Sequence, residues 1–142
     1  MYITMKDLKK IYELIPQRLP MVMVDEHLHT DKKKTLTRFA VLPDSMFCED
    51  GFLTEAGILE NMAQSAATRL GFLYKMKGGI PPVGIIASLQ EILIHSFPKP
   101  SDDLITEITF NDEIMGITLV DCKILCNNIE IAFCKMKILL RK

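Results

Sequence analysis

Tryptophan is absent from this 142-residue sequence, neither charge sign dominates, and no histidine occurs between His29 and His95. The net charge of -1 provides no bulk attraction for nucleic acid or for an acidic membrane surface. An apolar signal core near the start and an uninterrupted apolar run of 18 or more residues are also missing. We therefore expect a cytoplasmic protein that binds neither nucleic acid nor a membrane.

The length and apolar content of the sequence fit a single domain, residues 1–142. Hydrophobic residues make up 49% of the chain. A chain of this length buries about 70% of the surface that its unfolded form exposes. We therefore expect one compact unit, and the sequence contains no repeat or low-complexity tract.

The cysteines and histidines do not predict a metal site. The four cysteines lack the paired CxxC spacing of zinc sites, and a reducing cytosol disfavours disulfides. Cys122 and Cys126 lie in a predicted strand, where a spacing of four only puts both side chains on one face. His27 and His29 share a face of another predicted strand, but no third convergent ligand accompanies them.

The pattern of apolar residues predicts a short helix, two strands, a long helix and four further strands. The first helix has apolar residues at helical spacing and ends at Pro16; they are Leu8, Ile11, Tyr12 and Ile15. The predicted strands are 21–29, 36–42, 83–97, 103–110, 116–126 and 129–140. These six strands are antiparallel candidates, because short polar breaks separate most of them.

The segment TEAGILENMAQSAATRLGF, which begins at Thr54, predicts the long helix. Thr54 is a good N-cap, while Leu53 and Ile58 occupy the positions of a hydrophobic staple. Gly78 and Gly79 supply a stop, which gives a helix of about 23 residues. Its many alanines, glycines and serines suit close approach by neighbouring backbone.

We predict an α+β domain in which a curved antiparallel sheet of about six strands wraps this helix. A free sheet edge also predicts a dimer.

Glu60 and Gln64 lie one turn apart on this helix and are the first candidates for chemistry. A partly buried carboxyl can act as an acid near neutral pH, and Gln64 can orient it or hold a water. Periodicity leaves an alternative open, in which Glu60 points to solvent or pairs with a lysine of a neighbouring strand.

The start of the same helix is a second candidate, for binding a substrate carbonyl. The free backbone amides near Glu55 and Gly57, together with the helix dipole, can hold an oxygen that becomes negative during proton abstraction. Gly57 would let a ligand come close. Equally, Gly57 can serve only the packing of the helix.

Three segments of the sequence resemble the FabZ/FabA-type β-hydroxyacyl-acyl carrier protein dehydratases. LIPQRLPMVMVD, from Leu14, is similar to that family's leucine-proline-histidine-arginine-x-proline entry segment, with Gln17 at the histidine. ILENMAQSAA, from Ile58, resembles its central leucine-glutamate-alanine-methionine-alanine-glutamine helix. SLQEILIHSFPKPSDDL, from Ser88, stands where the family has a strand and a proline-containing corner.

The resemblance implies a hotdog fold and two subunits that join their sheets, in a homodimer, a heterodimer with a dehydratase homologue, or a higher oligomer. It also implies an acyl substrate carried on the phosphopantetheine of an acyl carrier protein or of CoA, and no other cofactor. Glu60 matches the family's acid and Gln64 its glutamine. Glu55 matches the residue whose backbone amide holds the thioester carbonyl.

The family's catalytic histidine has no counterpart in this sequence, because its position falls at Met46. Three interpretations remain open. The chain is a 3-hydroxyacyl dehydratase of a fatty acid or polyene-type pathway in which Glu49 or Asp50 replaces the histidine. Alternatively it is a non-catalytic dehydratase-like subunit that pairs with an active homologue, or a hotdog acyl thioesterase in which Glu60 activates water.

Overall fold

The computed structural model describes residues 5–141, with side chains from residue 9 onward. Within residues 5–141 two helices and eight strands follow one another. Their bounds are α1 Met5–Tyr12, β1 Glu26–Thr30, β2 Lys34–Ala40, β3 Cys48–Glu49, β4 Phe52–Leu53, α2 Glu55–Met76, β5 Val83–Ile94, β6 Asp103–Ile114, β7 Ile117–Cys126 and β8 Ile129–Arg141.

Six of the strands form one antiparallel sheet in the order β1-β2-β6-β7-β8-β5, and β3 pairs with β4 in a separate hairpin. The six-stranded sheet and the short first helix are confirmed. Leu8 was one of the residues that predicted this helix, and its side chain is not among those that the structure describes. The edges of the sheet are β1 and β5.

The predicted first strand starts later than its composition indicated. Residues 21–25 precede β1. The backbone of Met21 and Met23 bonds to side chains of α2, and the Asp25 N–H donates to the Arg38 carbonyl of β2. The β1–β2 pairing also shifts register between His27 and His29. This irregularity breaks the simple alternation that placed the two histidines on one face.

The long helix α2 begins and ends as predicted. Thr54 caps its N-terminus, and its hydroxyl accepts a hydrogen bond from the backbone N–H of Gly57. Leu53 and Ile58, the predicted staple, are both fully buried. Gly78, with φ +74°, follows the end of the helix, where a left-handed conformation favours glycine.

The main core lies between α2 and the inner face of the sheet. On β6 the buried residues Leu104, Thr106 and Ile108 alternate with partly exposed ones, which is typical of a strand with one buried face. A second, smaller core packs the end of α1 and the segment after it against the later turns of α2, through Ile11, Leu14, Ile15, Val22 and Val24. The sheet and this N-terminal segment therefore cover two sides of α2. No helix among residues 5–141 has the length and hydropathy needed to cross a membrane.

Candidate functional site

A two-residue turn sets the approach to α2. Asp50 and Gly51 both have positive φ, of 52° and 83°, which is the backbone of a type I′ hairpin turn. The chain doubles back through this turn, so that the backbone N–H and the hydroxyl of Thr54 both donate to the Phe47 carbonyl, at 2.9 and 2.8 Å. The Leu53 N–H donates to the Pro98 carbonyl at 2.7 Å. The N-terminus of α2 is thereby fixed against the hairpin and the corner after β5.

Glu60 lies on the second turn of α2, where its side chain is half-buried. Its Oε1 accepts a hydrogen bond of 2.9 Å from Gln64 Nε2, one turn further on. None of the ion pairs found among the described residues includes Glu60. The predicted pairing of Glu60 with Gln64 is therefore present, and pairing with a lysine is not.

Gln64 is itself held by the backbone of the entry segment. Its Oε1 accepts from the Met23 N–H at 2.6 Å, and its Nε2 donates to the Met21 carbonyl at 2.7 Å as well as to Glu60. These three bonds fix which end of the amide is oxygen, because a carbonyl oxygen cannot donate to Met21 or to Glu60. Gln64 is 1% exposed, so its amide is oriented by these protein groups and not by solvent.

Three acidic residues predicted for the site come together at a different place. Glu49, Asp50 and Glu55 line an open depression of about 600 Å³, together with Phe52 and Phe97. Glu60 and Gln64 are not among the lining residues of this depression. In a single chain the structure thus separates the Glu60–Gln64 pair from Glu49, Asp50 and Glu55.

Gly57 is enclosed by the chain's own side chains. A Cβ atom at this position would lie 2.5 Å from Leu53 Cδ1 and 2.8 Å from Phe47 Cβ. Its backbone N–H is used by the Thr54 cap. Of the two interpretations of Gly57, helix packing therefore has direct support in the contacts of this chain.

The position of the missing histidine is occupied by an exposed methionine, since the Met46 side chain is 54% exposed. The neighbouring Cys48 Sγ lies 3.6 Å from the Leu42 carbonyl, and burial raises the pKa of this thiol. A higher pKa keeps the thiol protonated at neutral pH, so Cys48 is a poor base.

The three histidines lie on strands or strand ends. The His27 ring packs against Phe72 with ring centroids 4.4 Å apart, and burial lowers its pKa. The His29 ring bonds to Asp31 at 2.8 Å. His95 is exposed just after β5.

Among residues 5–141 no group of three or more histidine, cysteine or carboxylate side chains is arranged to hold a metal ion. Cys122 and Cys134 face each other across β7 and β8 as free, buried thiols. The neighbouring Cys134 and burial together raise the pKa of Cys122. This pair belongs to the core.

Asn61 is the residue at this site that sequence reasoning missed. It is fully buried directly beside Glu60, and its amide bonds to Met23 and to Thr106. A polar residue on the side of α2 that faces the sheet was the available signal, because a buried amide requires partners. The Asp50-Gly51 dipeptide was likewise a usable signal for the hairpin.

Comparisons with known proteins agree on a fold and a family. A family model described as ApeP-like, ApeP dehydratase, matches residues 9–141. A solved structure described as the dehydratase heterocomplex ApeI:P from Xenorhabdus doucetiae matches with a TM-score of 0.85 at 15% identity, covering 93% of this chain and 91% of that one. None of the curated proteins matches the sequence.

Two further solved structures have the same fold at low identity. A sigma28-regulated virulence protein from Campylobacter jejuni gives a TM-score of 0.71 at 14% identity, covering 99% and 94% of the two chains. A hypothetical thioesterase protein with coenzyme A from Streptococcus pneumoniae gives 0.68 at 11% identity, covering 97% of each. Together with the element order, these likenesses confirm the predicted hotdog fold.

Proposed function

The chain belongs to the ApeP-like family of dehydratases, and from that premise we propose that it supplies the acid of a two-subunit 3-hydroxyacyl thioester dehydratase. The second subunit, a dehydratase homologue, supplies the histidine that this chain lacks. The dehydratase-like function follows from the family. The division of the two catalytic groups between two different subunits is our proposal.

The observation that carries the proposal is the fixed carboxylate of Glu60. A carboxyl on a solvent-facing turn would be free to change rotamer, whereas Glu60 is held at 2.9 Å by an amide that two backbone groups orient. Preorganised groups of this kind are typical of catalytic sites, since they need no rearrangement during the reaction.

The proposed reaction needs two groups that act on neighbouring carbons. A base removes the proton at C2, the electrons of that C–H bond form the C2–C3 double bond, and the C3–O bond breaks. Glu60 gives its proton to the departing hydroxyl, which leaves as water. Base assistance contributes about 10²- to 10⁴-fold, so Glu60 alone supports slow dehydration.

The substrate we propose is an acyl group on the phosphopantetheine of an acyl carrier protein or of CoA, in a fatty acid or polyene-type pathway of the cytoplasm. The amides of the first turn of α2, at Glu55 and Ala56, have no helical acceptor and can hold the thioester carbonyl. The coenzyme A named with the Streptococcus pneumoniae structure supports a ligand with a phosphopantetheine arm for this fold.

The edge of the sheet supports a partner subunit. β5 is twelve residues long, has β8 on one side only, and exposes Val83, Ile85 and Leu93. A long apolar edge strand is a site for pairing with another chain. The Xenorhabdus doucetiae structure, which is described as a dehydratase heterocomplex, favours a different subunit over a second copy.

Co-expression with an active dehydratase homologue tests the proposal. We expect a mixed complex that converts a 3-hydroxyacyl thioester to the 2-enoyl thioester faster than either protein alone, and a loss of that gain with Glu60→Gln. A chain that remains exclusively homodimeric, or a mixed complex no faster than the homologue, would contradict it.

The same assay distinguishes the two alternatives. Dehydration by the chain alone, abolished by Glu49→Gln or Asp50→Asn, would support a replacement base at the depression. Release of free thiol without enoyl product would support a thioesterase that uses Glu60 to activate water. Among the side chains that the structure describes, no contact favours either alternative over the mixed complex.

A further inference from the structure

Four hydrogen bonds connect the interior of the sheet to Glu60. The Thr106 hydroxyl on β6 donates to Asn61 Oδ1 at 2.5 Å, and Asn61 Nδ2 donates to the Met23 carbonyl at 2.7 Å. The Met23 N–H donates to Gln64 Oε1 at 2.6 Å, and Gln64 Nε2 donates to Glu60 Oε1 at 2.9 Å. Every donor in this series points toward Glu60, and the side-chain amides of Asn61 and Gln64 each accept one bond and donate the next, so that within each amide one bond strengthens the other.

Asn61 and Gln64 hold Met23 from both of its backbone groups. The N–H of Met23 is bound by Gln64 and its carbonyl by Asn61, while Met23 itself is 1% exposed. Without the Asn61 amide, the buried Met23 carbonyl would lose its hydrogen-bond partner, and the backbone around Met23 would be free to shift. Gln64 would then lose the backbone position that orients its amide.

We propose that Asn61 is a positioning residue for Glu60, which acts through Met23 and Gln64. The dehydratase motif that this helix resembles has an alanine at the position of Asn61, so the amide is a feature of this chain. This proposal rests on the role of Glu60 in the proposed function. It adds the residue that fixes the place of the carboxylate.

The test compares Asn61→Ala with Ser65→Ala. Ser65 lies one turn further along α2, is fully buried and bonds to the Asn61 carbonyl and to the Thr37 hydroxyl, at 2.7 and 2.8 Å. Removing the Ser65 hydroxyl also breaks buried hydrogen bonds, but it leaves the bonds from Asn61 and Gln64 to the backbone of Met23 in place. Thr106→Val, which keeps the shape of the side chain and removes only the donor to Asn61, is a milder second variant.

Two readouts are expected to separate positioning from stability. In Asn61→Ala, hydrogen exchange of the Met23 N–H and of the Gln64 side-chain amide should be about tenfold faster or more than in Ser65→Ala. In the mixed complex, kcat should fall by about 10- to 100-fold with KM within about twofold, because a displaced catalytic group loses rate and not binding. Thr106→Val should show the same changes at smaller size.

Equal exchange rates in the Asn61 and Ser65 variants would overturn the proposal, as would an unchanged kcat for Asn61→Ala in an active complex. If the unmodified mixed complex shows no dehydration, the proposed function fails. In that case the hydrogen-exchange rates of this chain alone still show whether Asn61 fixes the backbone at Met23. Should Asn61→Ala not fold, the exchange rates of Thr106→Val decide it.

Discussion

Gly57 occupies a space in which no side chain fits. A Cβ atom there would lie 2.5 Å from Leu53 and 2.8 Å from Phe47, closer than van der Waals distance. We predict that Gly57→Ala lowers the free energy of unfolding by about 1–3 kcal/mol, because the staple and the hairpin must move apart. Urea denaturation measures this. Gly79→Ala, whose nearest contact would be 3.5 Å to Tyr74, should stay within about 0.5 kcal/mol.

His27 gives the stability of the protein a pH dependence. Burial against Phe72 lowers its pKa below the usual 6.5, so the folded state disfavours the charged ring. The stabilisation that comes from keeping the His27 ring neutral is fully present above pH 6.5. It decreases as the pH falls from 6.5 toward the folded-state pKa, because in that range only the unfolded chain takes up the proton.

We predict that His27→Phe flattens the dependence of the unfolding free energy on pH just below 6.5. Urea denaturation at a series of pH values measures the slope. Thr30→Val removes the hydroxyl that bonds to the ring at 2.7 Å but retains the imidazole, so its slope should persist. An unchanged slope in His27→Phe would show that another group titrates.

The residues of the site differ in how far sequence could locate them. Glu60 and Gln64 lie one turn apart on a predicted helix, and their contact follows from helical geometry alone. The bonds of Gln64 and Asn61 to Met21 and Met23 join positions about forty residues apart, and local patterns contain no information on such pairs. The roles of Glu49, Asp50, Glu55 and Gly57 in binding or catalysis remain predictions.

At the scale of elements, the cap of α2 couples the helix to the hairpin before it. The Thr54 hydroxyl donates to Phe47 and accepts from Gly57. Thr54→Ala should lower the free energy of unfolding by about 1 kcal/mol, as typical N-caps do, and Thr54→Ser should recover most of it. Thermal denaturation of both variants measures the difference. Equal melting temperatures for Thr54→Ala and the unmodified chain would contradict a stabilising cap.

The long periodic elements were predictable and the short ones were not. α2 has a cap and a glycine stop, and the strands from β5 onward are long runs of strand-forming residues between polar breaks, so their bounds fall within a few residues of those predicted. The hairpin of β3 and β4 has two residues in each strand, too few for any periodicity. Residues 21–25 have a strand-like composition, but buried side chains of α2 bond to the backbone of Met21 and Met23.

At the scale of the whole molecule, the open edge at β5 predicts where subunits join. Leu93→Lys places a charge on an exposed apolar position of this edge strand and should weaken association with a dehydratase homologue by about tenfold or more. Met115→Lys, at a 95% exposed position in the β6–β7 turn, is the matched control and should leave association unchanged. Analytical ultracentrifugation measures both; equal weakening by the two variants would place the interface elsewhere.

A mixed complex in which only one route to catalysis remains tests the central claim most directly. The homologue is first given a substitution that removes its own catalytic acid and leaves its histidine, then combined with this chain and assayed for dehydration of a 3-hydroxyacyl thioester. Activity should persist, since Glu60 provides the acid, and Glu60→Gln should reduce it by about 10²-fold or more. An inactive complex, or one indifferent to Glu60→Gln, would contradict the claim that this chain supplies the acid.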